Sequence, residues 1–306
     1  MNKIRHHIIP IMFLKNFCDE KSRIWVYDKT NPSKGLVASH PKNTAIQNYF
    51  YSIHLDNGAK DSNTIEDVLA EVVEGPAVAA LKSLKACNLP SHEGRQRLAF
   101  FFGILFSRSQ AYREAYEDFV SKFFNPNSKL QNIAQNPENF ARWADDYERK
   151  HGQPMADNIE ELRQEILAGA YKLKISSNLG LKKINEVGEK MADHIADMIW
   201  TIIKAPAESY FLTADNPILV SNIELQELLI PNWSIPSLLD MKDSRTEIFI
   251  PISKTIGLLA SNNANSKAKD SIIDGDPSFV KKKNRALAQN ATRFVYSPSA
   301  DYDFLS

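Results

Sequence analysis

Five side chains in this sequence are of types that could perform acid–base or metal chemistry. They are two adjacent histidines, two glutamates and one aspartate: His6, His7, Glu66, Glu74 and Asp215. Imidazole and carboxylate groups exchange protons near neutral pH and bind divalent metal ions. We therefore expect them to form a catalytic site. Glu74 and Asp215 are the expected ligands if a divalent metal is the cofactor.

The two histidines stand shortly before Pro10, which could open a short helix through Phe17. A helix N-terminus carries free N–H groups and a partial positive charge, so a histidine there could act as a general base beside an anion. The alternative is that His6 and His7 are two ordinary histidines near the end of the chain.

The two glutamates lie on a segment with helical periodicity that begins at Thr64. On an unbroken helix Glu66 and Glu74 would be about 12 Å apart along the axis and about 80° apart in rotation. Gly75-Pro76 predicts a kink or restart that could turn Glu74 inward. The alternative is that both carboxylates belong to a solvated helix surface.

Asp215 follows a predicted strand at residues 210–213, in the sequence Thr213-Ala214-Asp215-Asn216-Pro217. A short acidic side chain just beyond a strand could be a catalytic or metal-binding carboxylate. It could equally form an Asx-turn that ends the strand.

Basic residues could bind an anionic substrate at two places. Arg108 and Arg113 lie on a long aromatic helix, and Arg108 falls close to the apolar stripe, where it needs a carboxylate or phosphate partner. The run Lys281, Lys282, Lys283 and Arg285 could make a local nucleic-acid or phosphate contact. The alternatives are a structural acidic partner for Arg108 and a solvated helix face for the run.

The predicted elements place helices in the middle of the chain and strands near both ends. Residues 64–205 have helical periodicity, including a long helix near 181–204. Strands are predicted in residues 1–53, including 48–53, and in residues 206–306. We therefore expect one α+β domain over 1–306, in which N- and C-terminal segments form a small mixed or antiparallel sheet.

Composition excludes several classes of protein. The 37 basic and 37 acidic side chains give no net charge, which argues against nonspecific coating of nucleic acid. The longest apolar run, 98–106, is about half of what a membrane span needs. Two widely separated cysteines are typical of a reduced cytoplasmic protein. Phosphate-binding glycine loops and common hydrolase motifs are absent.

Several of these segments, taken in order, resemble DUF4238, an uncharacterised and mainly bacterial family. The resemblance covers nearly the whole chain, although Ala214 stands where the pattern has Ser and a Pro-Leu-Ser-Pro segment is altered at 250–254. The matching segments are His6–Phe17, Ile24–Asp28, Phe50-Tyr51, Glu66–Glu74, the helix with Arg108 and Arg113, and Phe211–Pro217. The resemblance implies no established reaction. It does imply that His6 or His7, Glu66, Glu74 and Asp215 act together.

Two functional hypotheses follow. The first is a hydrolase with a His/Glu/Asp site, metal-dependent or using His as base, that cleaves a phosphodiester as a nuclease does. The second is a non-catalytic sensor or interaction protein, in which the same polar residues form a buried structural network.

Overall fold

The structure is a computed structural model of the chain. It describes residues 4–54, 60–123, 126–152, 154–156, 158–168, 177–222, 243–262 and 269–301. The chain forms two compact units. The main unit contains Met1–Ala115 and Ser176–Ser306, and the inserted unit contains Tyr116–Ile175.

The α-helices, in chain order, are α1 (Ile11–Leu14), α2 (Thr64–Val68), α3 (Gly75–Lys85), α4 (His92–Ser107), α5 (Gln110–Phe123), α6 (Pro126–Gln135), α7 (Pro137–His151), α8 (Ile159–Leu167), α9 (Ser177–Asp197) and α10 (Pro277–Asn290). A π-helix, Leu69–Glu74, joins α2 to α3, and short 3₁₀-helices cover Lys15–Phe17, Pro32–Lys34 and Pro41–Asn43. None of the described helices has the length and hydropathy that a membrane span requires.

The strands are β1 (Arg5–His7), β2 (Ile24–Asp28), β3 (Leu36–Ser39), β4 (Ile46–Asn48), β5 (Ile53–His54), β6 (Lys60–Asp61), β7 (Ile199–Lys204), β8 (Thr213–Ala214), β9 (Leu219–Asn222), β10 (Thr246–Ser253), β11 (Ile256–Ser261), β12 (Ser271–Asp274) and β13 (Phe294–Ser297). An antiparallel sheet in the order β3-β2-β13-β8 joins the two ends of the chain. A mixed sheet has the order β12-β7-β11-β10-β9, in which β12 and β7 are parallel. The predicted α+β class, with terminal segments sharing a sheet, is confirmed.

Four predicted element boundaries are wrong. The single long aromatic helix expected to carry Arg108 and Arg113 is two helices, α4 and α5, and Arg108 lies between them. The helix predicted near 181–204 ends at Asp197, and residues 199–204 form strand β7, paired on both sides by β11 and β12. The β-branched residues of β7 favour a strand, although their spacing also fits the apolar stripe of a helix. The strand predicted at 210–213 is reduced to β8. In place of a strand at 48–53, β4 ends at Asn48 and Tyr49 has a left-handed φ of 57°.

The interior of the main unit includes a close crossing of α4 and α9. A Cβ atom at Gly103 would overlap the carbonyl oxygen of Gly188, so the two backbones approach too closely for a larger residue. The aromatic side chains of Phe101 and Phe102 in α4 and of Trp200 in β7 are fully or almost fully buried and pack against one another. This packing fixes the C-terminal end of α4, where Arg108 follows.

The inserted unit has a small apolar core of its own. Helices α6, α7 and α8 bury Ala134, Phe140 and Ile166 against one another. The side chain of Asn136 caps the N-terminus of α7 by accepting from two backbone N–H groups.

Candidate functional site

His6 is part of strand β1 and holds its neighbours through both ring nitrogens. Its Nδ1 accepts from the backbone N–H of Tyr51 at 2.8 Å, and its Nε2 lies 2.8 Å from the carbonyl oxygen of Ser62. These two bonds assign the proton to Nε2, and the ring is completely buried and stacked on Tyr51. His6 therefore has no nitrogen left for a substrate and acts as a structural residue here.

His7 lies on the opposite face of the strand and is partly accessible. Its Nε2 is 3.3 Å from the carbonyl oxygen of Lys42. Burial lowers the pKa of His7, and the charge of Arg5 acts in the same direction. The bond to Lys42 and the charges of Glu66 and Glu74 act in the opposite direction. His7 is therefore a half-buried imidazole beside two carboxylates.

The helix N-terminus expected beside the histidines provides no anion site. Residues 5–7 are extended, and α1 begins only at Ile11 and contains four residues. The carboxylates, not a helix end, are the charges that distinguish His7 from His6.

The π-helix is the element that brings Glu66 and Glu74 to the same region. Pro76 has no N–H for a regular helical bond, and the wider π-turn precedes it at Leu69–Glu74. The i→i+5 pattern holds roughly one extra residue per turn, which reduces the rotation of about 80° expected between the glutamates. Both carboxylates act on the pKa of His7 and of Tyr51, in agreement with this geometry.

The same change of register determines which apolar residues of this segment are buried. Leu69 and Val73 are buried, whereas Val68 and Val72 are exposed. On an uninterrupted α-helix Val68 and Val72 would share a face with Leu69, and the π-turn changes this because each of its residues turns less about the helix axis.

Arg108 immediately follows α4 and is buried, with 2% of its side chain exposed. Its Nη1 donates to Glu74 Oε1 at 3.1 Å, and 24% of the Glu74 side chain is exposed. Nε and Nη2 of Arg108 have no hydrogen-bond partner among the residues that the structure describes. A buried guanidinium with two unused donors is well suited to bind the oxygens of an anion.

Tyr51 belongs to the same site, although only its place in the family pattern marked it in the sequence. Burial raises the pKa of Tyr51 to about 12, with Arg108 acting against this shift and Glu74 adding to it. Its hydroxyl is buried and has no hydrogen-bond partner. Tyr51 therefore stays protonated and has a donor to offer near Arg108.

Arg113 is held beside this region by the residue that precedes Tyr51. Its Nη1 donates to the carbonyl oxygen of Phe50 at 3.2 Å, and its guanidinium carbon is 5.0 Å from the centre of the Phe50 ring. The polar cluster is thus defined by His7, Tyr51, Glu66, Glu74, Arg108 and Arg113.

Asp215 has a different environment, in the four-stranded sheet. Its carboxylate accepts from the backbone N–H groups of Thr292, Arg293 and Phe294 at 2.9, 2.7 and 2.8 Å. Burial raises the pKa of Asp215, while these bonds and the charge of Lys29 lower it. Asp215 therefore fixes the start of β13 through bonds to a distant part of the chain, and not through the local Asx-turn that was the alternative to a catalytic role.

The arrangement of acidic side chains gives little support to a metal site. Among the described residues, no three His, Cys, Asp or Glu side chains are grouped so that they could hold an ion. Glu74 is engaged by Arg108, and both oxygens of Asp215 accept backbone hydrogen bonds.

The basic run on α10 does not form one continuous surface. Lys281, Lys282 and Arg285 are exposed. The Nζ atom of Lys283, by contrast, lies 5.4 and 5.5 Å from the ring centres of Phe249 and Phe279. Burial lowers the pKa of Lys283, against the nearby charge of Glu247.

The fold and the site define an α+β protein in which a buried arginine pairs with a π-helix glutamate, and a half-buried histidine feels the charges of that glutamate and of Glu66. The family model described as "Protein of unknown function (DUF4238)" matches residues 5–301. The chain belongs to the DUF4238 family, as its motifs predict. No curated protein and no solved structure matches it.

Proposed function

We propose that the protein is a hydrolase that cleaves a phosphoester, specifically a phosphodiester, and that the polar cluster is its active site. The observation that carries the proposal is the buried Arg108 guanidinium, which has two unused donors beside Glu74. His7 and Tyr51 lie within electrostatic reach of Glu74. The cluster thus contains a base and a binding group for a phosphate.

His7 is the proposed general base. When Nε2–H donates to the Lys42 carbonyl, Nδ1 is left as the acceptor. Nδ1 takes a proton from water as the water oxygen bonds to phosphorus, and the P–O ester bond breaks. The leaving oxygen takes a proton from solvent, and the imidazolium returns its proton to solvent. The lowered pKa keeps the imidazole neutral at pH 7, as a base must be.

The remaining residues of the polar cluster bind and orient the phosphate. Arg108 directs Nε and Nη2 to its oxygens, and the Tyr51 hydroxyl is a further donor. Glu74 positions Arg108 through the bond to Nη1. Arg113 supplies a second positive charge from beside Phe50. Because His7 can activate water directly, the proposal does not require a metal ion.

The test is hydrolysis of bis(p-nitrophenyl) phosphate and of single-stranded RNA and DNA, with and without EDTA. We expect activity that resists EDTA and falls at least ~100-fold in His7→Gln, because a general base contributes about that factor. His92→Gln is the matched control, since His92 is exposed at the start of α4. Loss in EDTA with recovery in Mn²⁺ would support the metal-dependent alternative. Equal activity of both variants would refute the proposal.

A non-catalytic sensor or interaction protein is the second candidate. The observation that favours it is that His6 and Asp215 bond only to backbone groups, so part of the predicted site is a structural network. In that case phosphate or a phosphodiester would bind at Arg108 and raise the melting temperature without being hydrolysed.

A further inference from the structure

A groove with an apolar floor lies on one face of the four-stranded sheet. The other face packs into the core through Tyr27, Leu36 and Val295. Strand alternation turns Val26 and Val37 to the groove, where they meet Phe294. The groove has a volume of about 510 Å³, within the range of small-molecule sites. Val37 is 49% exposed, so a ligand here would cover apolar surface.

The rim of this sheet groove is positively charged. Arg5 and Lys34 are exposed cations among its lining residues. The only acidic lining residue described is Asp28, and Arg293 donates to it at 2.8 Å. That bond holds the pKa of Asp28 well below its usual value. Two cations therefore remain for a ligand, beside the polar side chains of Asn43 and Thr44.

We infer that the sheet groove binds a nucleoside phosphate, either as a free nucleotide or as a unit of a nucleic-acid strand. Arg5 and Lys34 match a phosphate at the rim, and the apolar floor matches the planar base. The exposed amide of Asn43 supplies hydrogen bonds of the kind that a sugar requires. A peptide along the open edge of β3 would not need the two cations, so the charge favours the nucleoside phosphate.

The sheet groove is next to the polar cluster along β1. Arg5 and His7 are two residues apart on the same face of the strand, a distance of about 7 Å, and the Arg5 charge acts on the pKa of His7. A nucleotide held by Arg5 would therefore place its phosphoester near His7. This step rests on the proposed function and specifies its substrate class, whereas binding in the groove can be measured without it.

The experiment is isothermal titration of the full chain with adenosine monophosphate, adenosine, inorganic phosphate and a ten-nucleotide single-stranded RNA. We expect the monophosphate to bind at least tenfold more tightly than adenosine or phosphate. The Arg5→Gln/Lys34→Gln variant should weaken it by tenfold or more, because charged hydrogen bonds are lost. Lys82→Gln, an exposed lysine on α3, is the control and should bind normally.

The two sources of the ligand are separated by affinity and salt. Tighter binding of the RNA, with a salt slope that falls by about 1.4 in the double variant, would identify a strand. Tighter binding of the monophosphate would identify a free nucleotide, and either result supports the inference. Absence of binding by both probes, or binding unchanged in the double variant, would overturn it. Binding without hydrolysis would refute the proposed function alone, and hydrolysis without nucleotide binding would refute the groove alone.

Discussion

Replacing Glu74 is the most informative perturbation, because Glu74 is the one side chain among the described residues that pairs with the buried charge of Arg108. The Arg108 side chain is 2% exposed, and Nη1 bonds to Glu74 at 3.1 Å. Two charges about 4 Å apart interact with about 4 kcal/mol at an effective dielectric of 20. Since 24% of the Glu74 side chain is exposed, water already screens part of the attraction between the two charges. We expect Glu74→Ala to lower the free energy of unfolding by about 2–3 kcal/mol.

The assay is urea unfolding at equilibrium, with Glu71→Gln as the matched control. Glu71 is an exposed residue of the same π-helix, so its replacement should change stability by less than about 0.5 kcal/mol. Glu74→Gln keeps an acceptor for Nη1 and should cost only about 1–2 kcal/mol. In an Arg108→Met background, Glu74→Ala should cost less than about 1 kcal/mol, because no buried charge is left unpaired.

Phosphate then distinguishes an anion site from a purely structural pair. With the Glu74 side chain truncated, all three guanidinium nitrogens of Arg108 can donate to an anion, so phosphate should stabilise Glu74→Ala more than the parent chain. If Glu74→Ala and Glu71→Gln unfold at the same urea concentration, the buried ion pair is refuted. If phosphate stabilises neither protein, Arg108 is not a phosphate-binding residue.

Three further predictions concern His7, Asp215 and the crossing of α4 and α9 at Gly103. The acid limb of the pH–activity profile should have its midpoint below 6.5 and disappear in His7→Gln. Stability should fall as pH drops below 6.5, because the unfolded chain then binds the proton that folded His7 resists. Asp215→Asn should lower the free energy of unfolding by about 2–4 kcal/mol, against less than 0.5 for exposed Asp274→Asn, both measured in urea. Gly103→Ala should cost at least about 3 kcal/mol by calorimetry, since its Cβ would meet the Gly188 backbone; a normal melting temperature would contradict that crossing.

The fold class follows from local patterns, but several boundaries depend on strand pairing. The apolar stripes of α4 and α10 and the short, continuous apolar runs of β10 and β11 are sufficient to predict those elements. Residues 199–204 are different, because Ile199, Ile202 and Ile203 fit a helical stripe as well as a strand. Pairing with β11 and β12, which are separated from them by more than fifty residues, decides between the two.

The π-turn shows a second limit of local reasoning. Gly75-Pro76 predicts an interruption, and the structure has one immediately before it, at Leu69–Glu74. The type of interruption determines where the side chains point. An α-helical kink would leave Val68 and Val72 on the apolar face, whereas the π-turn exposes both and brings Glu66 and Glu74 toward His7.

His6 and His7 show why residue type alone could not define the site. They are adjacent and chemically identical, and the helix expected to begin at Pro10 gives no reason to assign them different roles. In a strand, adjacent side chains point to opposite faces, so β1 places one ring in the interior and leaves the other half-buried. Backbone groups from residues 51 and 62 then occupy both nitrogens of His6. His7 has one described carbonyl partner and feels the charges of two carboxylates, so its Nδ1 is the nitrogen that we propose as the base.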